Sequence, residues 1–280
     1  MVRSTTYTIG KCAAALVAFF LINGFTTKRV EFMNVPVGTD HDGKLIEISG
    51  LLAKPEGDGS FPAIVILHAC GGPNKSNTES WPKFLTGIGY ATLSTDSLGP
   101  RDLRSCARPR PPMFVPKKIP ELWRDFYGSL EYLAKQPFVD KNRIGAIGQS
   151  LGGITIRSLA YNKLRAPSGA EFAAGIVLYT RCGVPVGDGN TPYPGEPRFP
   201  WLAVIGTNEQ PAIIKGGQTA LAKAKGVRLH LIAGAYHAFD DHGHQRLRED
   251  PFGNSMHYSR KATAEAETVV KEYIAEHMGK

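Results

Sequence analysis

Apolar and polar positions sort the chain into two patterns. Residues 29–35 and 45–53 form two β-like runs, and His41, Asp42 and Gly43 between them read as a hairpin turn. From residue 63 the pattern changes. The run 63–67 (Ala-Ile-Val-Ile-Leu) is continuously apolar, as expected of a strand buried on both faces. Further β-like runs fall at 90–94, 143–147, 173–179, 200–205 and 228–233. Helical stretches separate them at 80–87, 120–136, 151–162 and 213–224, and a last helix covers 261–277. Leu122, Phe126, Leu130 and Leu133 make one stripe, and Ala262, Ala266, Val269 and Tyr273 another. Such alternation predicts an α/β fold: a mostly parallel sheet of about eight strands with helices on both faces. The early hairpin adds antiparallel strands at one edge. In such sheets the site lies beyond the carboxyl ends of the strands.

Two Pro/Gly-rich connections, 99–120 and 182–199, interrupt the alternation. The first carries six prolines and is expected to cover the site. With 280 residues, 42% hydrophobic and 21% charged, the chain is long enough for one large domain with a full core. The net charge of +8 raises the question of nucleic acid. The densest basic cluster (Arg101, Arg104, Arg108, Arg110, Lys117 and Lys118) is broken by four prolines, and neither a basic groove-binding helix nor zinc-finger spacing is present. A nucleic-acid partner is therefore not expected.

The first residues carry a different signal. Arg3 and Lys11 precede the apolar run 12–22, which is short for a membrane span but matches the core of a secretory signal. No small-residue cleavage pattern follows at 23–26. The expected organisation is a signal peptide or uncleaved membrane anchor over 1–27, a catalytic domain over 28–280, and a periplasmic or secreted protein. Of the four cysteines, Cys12 would leave with a signal peptide. Cys70, Cys106 and Cys182 then allow one internal bridge, for which Cys106 with Cys182 is the candidate against free thiols.

Residues 148–152 read Gly-Gln-Ser-Leu-Gly between a strand and a helix, the context the G-x-S-x-G turn requires. It points to a serine hydrolase of the α/β-hydrolase type. Ser150 would sit on a strained turn with its hydroxyl exposed, and the flanking glycines avoid collisions. A serine hydroxyl needs an imidazole to take its proton. Among eight histidines, His237 follows the last core strand and so reaches the same sheet edge. The acid should follow the preceding strand. Glu209 is the only carboxylate between Pro197 and Phe239, with Asp188 as the rival on an earlier loop. For the oxyanion, the candidates are the amides of Leu151 and Cys70, with Ala69 next. His68 is expected to hold that loop. Arg101 and Tyr236 are the expected substrate contacts, and Arg101 with Arg104 would favour a carboxylate-bearing substrate. The cluster Asp240, Asp241, His242 and His244 could be read as metal ligands, but no further Cys/His set completes a site at familiar spacing, so none is assigned.

Residues 67–72, 96–101 with Cys106, 148–153 and 235–240 together resemble the dienelactone hydrolase family. The likeness runs from about residue 63 to the C-terminal helix. It implies an eight-stranded α/β-hydrolase sheet with no metal or organic cofactor. It also implies hydrolysis of a small ester or lactone through an acyl-enzyme, with Ser150 as nucleophile, His237 as base and Glu209 as acid. The family's namesake enzymes carry cysteine where Ser150 stands, and aspartate is usual where Glu209 stands. Competing readings are a peptidase or acyltransferase on the same scaffold, and an exported binding module without activity.

Overall fold

The apolar runs become the centre of one nine-stranded sheet. A computed structural model describes residues 20–22, 25–36, 45–106, 115–182, 195–221 and 224–279. The strands are β1 (Phe20–Ile22), β2 (Phe25–Met33), β3 (Glu47–Pro55), β4 (Phe61–Leu67), β5 (Ala91–Asp96), β6 (Val139–Gln149), β7 (Gly175–Leu178), β8 (Trp201–Gly206) and β9 (Val227–Ile232). Their order is β1-β2-β3-β5-β4-β6-β7-β8-β9. From β5 to β9 every neighbouring pair is parallel, and the first three strands join antiparallel at the edge. A small ribbon of β10 (Arg248–Glu249) and β11 (Ser255–Met256) stands apart. The helices are α1 (Trp81–Gly87), α2 (Val115–Ala134), α3 (Leu151–Tyr161), α4 (Pro211–Leu221) and α5 (Arg260–Met278).

Side-chain alternation explains the continuous apolar runs. In β4, Ala63, Val65 and Leu67 enter one core and Ile64 and Ile66 the other. In β8, Trp201, Ala203 and Ile205 face the first core while Leu202 and Val204 face the second. Successive strand residues point to opposite faces, so both sets must be apolar when both faces are covered. Phe126, Leu130 and Leu133 of α2 and Ile156 and Leu159 of α3 pack the first face. Trp81 and Leu85 of α1 and Ala266, Val270 and Tyr273 of α5 pack the second. Ser259 starts α5, its side chain accepting from the Ala262 amide.

The chain runs from β4 to β5 on one side, then crosses back to place β6 on the other side of β4. The loops after β4 and β6 therefore diverge at a switch point, and a crevice opens between them at the carboxyl edge. This is where the candidate oxyanion loop and the serine turn were expected.

Among the described residues the sheet has nine strands, in keeping with the expected mostly parallel sheet of about eight, and Phe20–Ile22 is its short edge strand. Two element starts change. β2 starts at Phe25 rather than at residue 29 and pairs with β3 from Phe25 opposite Pro55. α2 begins at Val115, five residues before the expected start, because Pro116 falls in the first turn, where no amide is needed. The hairpin turn at 41–43 and most of the 182–199 connection lie outside the described residues. Among the described residues, no helix is long and apolar enough to cross a membrane.

Leu130 has no exposed surface and lies in the C-terminal half of α2. Replacing it with alanine leaves a cavity and is expected to cost about 2–5 kcal/mol, read from the shift in a urea unfolding midpoint.

Candidate active site

Ser150 caps α3 with φ 50° and ψ −102°, a backbone conformation that residues with side chains rarely hold. The Ser150 amide donates to Leu178 O on β7 at 3.0 Å. The Ser150 carbonyl accepts from the Ile154 amide and from Thr180 Oγ1, each at 3.0 Å. The glycines supply the space. A side chain on Gly148 would run into the backbone of Gly152, and one on Gly152 into the Leu67 carbonyl. Leu151 is the first residue of α3, so its amide has no acceptor within the helix and lies at the positive end of the dipole.

Acid and base arrive on loops stitched to each other. After β8, the Thr207 amide donates to Ile232 O and the Asn208 amide to Ala235 O, both at 2.9 Å. These bonds set Glu209 beside the loop that follows β9. From the other side, the His237 amide donates to Ser255 O at 3.1 Å, and the His257 amide donates to His237 O at 3.2 Å. The imidazole spans the gap. Nε2 lies 3.1 Å from Ser150 Oγ, and Nδ1 lies 3.1 Å from both oxygens of Glu209. A carboxylate only accepts, so Nδ1 carries the hydrogen and Nε2 is left to accept from the serine hydroxyl. The Glu209 side chain is fully buried and that of His237 is 6% exposed. The pair thus acts in a low-dielectric setting, where its hydrogen bond is stronger than in water.

A cavity of about 460 Å³ opens over Ser150 and His237. Cys70 and Gly71 line one wall, Arg104 and Ser105 the rim, and Phe252 and Met256 the facing wall. Nothing in the sequence singled out this last wall. It comes from the β10–β11 ribbon, whose two-residue strands are too short to show a period. The structure brings Ser150, His237, Glu209, Leu151 and Cys70 together at the carboxyl edge.

His68 holds the candidate oxyanion loop. The Ser97 amide donates to its Nε2 at 3.2 Å, which leaves Nδ1 to donate to Ala69 O at 2.7 Å. Burial pushes this imidazole below its ordinary range, so it stays neutral and serves as a strut between two loops.

Several assignments are corrected. Cys106 bridges Cys70, not Cys182, with Cα atoms 5.0 Å apart. Cys182 is buried in the core under the sheet, its thiol donating to Thr180 O, whereas Cys70 and Cys106 pack with Leu122 and Leu151 at the site. Arg101 is not a cavity residue. Its guanidinium binds both oxygens of Asp125, at 2.7 and 2.9 Å, and Ser97 O at 2.8 Å. Burial pushes the Asp125 carboxyl up, and the Arg101 pairing opposes that. Tyr236 also stands outside the cavity, its ring packed edge-on against His257. The cluster at 240–244 is dispersed: Asp240 is buried among four donors, Asp241 accepts from Asn74, and His242 stacks on Tyr258. Asp188 lies outside the described residues.

The sequence model of the dienelactone hydrolase family matches residues 48–278. No curated protein matches the chain. Among solved structures, a dienelactone hydrolase-like promiscuous phosphotriesterase from metagenomic libraries is 20% identical, with a TM-score of 0.64 over 90% of this chain and 99% of that one. A dienelactone hydrolase from Anabaena variabilis is 19% identical, with a TM-score of 0.60 over 89% of this chain and 99% of that one. A ferulic acid esterase from Streptomyces cinnamoneus is 15% identical, with a TM-score of 0.66 over 91% and 90%. These likenesses show the α/β-hydrolase fold.

The lowered pKa of His68 has a consequence for stability. Its folded value lies below the unfolded 6.5, so the unfolded chain binds the extra proton first. The contribution is complete above about pH 6.5 and is lost as pH falls through the folded value, with a slope of at most about 1.4 kcal/mol per pH unit. His68→Gln is expected to be less stable than wild type at pH 8 and to show a shallower loss between pH 7 and 5, by urea unfolding at each pH.

Proposed function

Because the chain belongs to the dienelactone hydrolase family, we propose that it hydrolyses small carboxylic esters or lactones through an acyl-enzyme on Ser150. The observation that carries this reading is the unbroken line from Glu209 through His237 to Ser150 Oγ, each step 3.1 Å. Ser150 Oγ attacks the substrate carbonyl while its proton passes to His237 Nε2. Glu209, hydrogen-bonded at Nδ1, keeps the ring in its tautomer and stabilises the imidazolium. The amides of Leu151 and Cys70 receive the oxyanion. Collapse expels the alcohol, which takes the proton from His237. Water then enters, loses a proton to the same nitrogen and releases the acid. A lactone opens by the same steps, its alcohol staying tethered to the acyl group until hydrolysis.

The same proposal places the protein outside the cytoplasm. The charged and apolar pattern of residues 1–22 supports export. A disulfide at the site supports an oxidising compartment.

The purified protein is expected to hydrolyse a short-chain nitrophenyl ester, and Ser150→Ala to reduce kcat by at least about 1,000-fold with the fold intact. A folded wild type that neither turns over the ester nor reacts with a fluorophosphonate sinks the hydrolase reading. For export, residues 1–30 fused to a reporter enzyme active only outside the cytoplasm are expected to give activity. An inactive fusion made in normal amounts rejects that part.

A further inference from the structure

Asp240 is a buried charge that the chemistry above does not use. It is 1% exposed, and among the described residues no lysine or arginine pairs with it. Instead, four neutral donors converge on its two oxygens. Trp81 Nε1 at 2.7 Å, Gln149 Nε2 at 2.8 Å and the Ser76 hydroxyl at 2.9 Å reach Oδ2, and the Tyr179 hydroxyl reaches Oδ1 at 2.9 Å. Three donors meet Oδ2 and one meets Oδ1, so the carboxyl accepts from four side chains at once. Burying a lone carboxylate is costly unless its hydrogen bonds are made, and a cation is the usual compensation. Asp125 in α2 takes that usual course with Arg101.

The donors are informative by position. Gln149 immediately precedes Ser150, and its side chain also donates to Ser76 and accepts from Asn77. Tyr179 follows β7 with φ 41°, a strained backbone for an aromatic residue, so something must hold it. Its hydroxyl is held by Asp240 and its ring by Phe239, with centroids 5.4 Å apart. The same ring lies edge-on to the His237 imidazole, with centroids 4.9 Å apart. Burial first, and then Asp240, Asp241 and Glu209, push the Tyr179 phenol well above its ordinary range, so it remains a donor.

We propose that Asp240 and Tyr179 are positioning residues: one buried carboxylate fixes the tyrosine ring that braces His237 and the glutamine that precedes Ser150. Base and nucleophile are thereby held to a common anchor.

This rests on the hydrolase reading for its kinetic part only. Tyr179→Phe keeps the ring and removes the tether; Asp240→Asn keeps the shape and removes the charge. Both are expected to lower kcat on the nitrophenyl ester by about 10- to 100-fold, with KM within about twofold, as for a group that acts through geometry in the transition state. The second readout needs no substrate: the downfield proton resonance of the His237 Nδ1–H bond to Glu209, expected to broaden in both variants as the ring gains freedom. Leu130→Ala, which loosens the core under α2 at a residue outside the cavity lining, controls for lost stability and is expected to keep both kcat and the resonance. If Asp240→Asn fails to fold, Tyr179→Phe alone decides. Unchanged kcat and resonance in Tyr179→Phe, or equal losses in Leu130→Ala, would overturn the proposal. A wild type inert to ester and fluorophosphonate sinks the hydrolase reading, while the resonance still decides this one.

Discussion

A serine at φ 50° stays there only if its surroundings leave the chain no better choice. Those surroundings are spread over the sheet. The amide is held by β7, the carbonyl by Thr180 beyond β7 and by the first turn of α3, and the clearance comes from glycines that meet the loop after β4. No local stretch could impose this. The turn requires β4, β6 and β7 to lie side by side in parallel, which the crossovers through α1, α2 and α3 provide. Once the turn is set, the hydroxyl points into the crevice at the switch point, and the loops after β8 and β9 lie near enough to answer it.

Much of this was legible in the sequence because it is written locally. Strands β4 and β8 announce burial on both faces through unbroken apolar runs. The Gly148, Ser150 and Gly152 spacing states the need for clearance. Glu209 and His237 follow from chain order, being the residues of suitable chemistry after β8 and β9. What was misread depends on distance in sequence. Cys70 and Cys106 are 36 residues apart, and their meeting depends on the return of the 99–106 segment to the oxyanion loop. Arg101 looked available because Asp125, its partner, sits in a helix 24 residues away. The ribbon β10–β11 left no periodic trace, yet it supplies a wall of the cavity.

The two buried carboxylates beside the site illustrate different solutions to one cost. Asp125 takes a guanidinium and a nearby amide from Asn34, and so ties the loop after β5 to α2 and to the end of β2. Asp240 takes neutral donors from four directions. The first arrangement ties one loop to one helix, whereas the second gathers Ser76, Trp81, Gln149 and Tyr179, from four separate stretches of chain, onto one side chain.

The β10–β11 ribbon has two duties at once. Its tip places Phe252 in the cavity, while its returning strand grips the His237 backbone through Ser255 and His257. The facing segment is coupled as well, since the Cys106 that follows Arg104 and Ser105 is bonded to Cys70 in the loop after β4. Drift in substrate preference is therefore constrained in kind. Inserting or deleting residues in either wall moves the machinery with it, whereas exchanging side chains at fixed length, at Phe252 or Arg104, leaves the machinery where it is. The cavity can thus be reshaped by point replacement at these two positions without moving Ser150, His237 or Glu209.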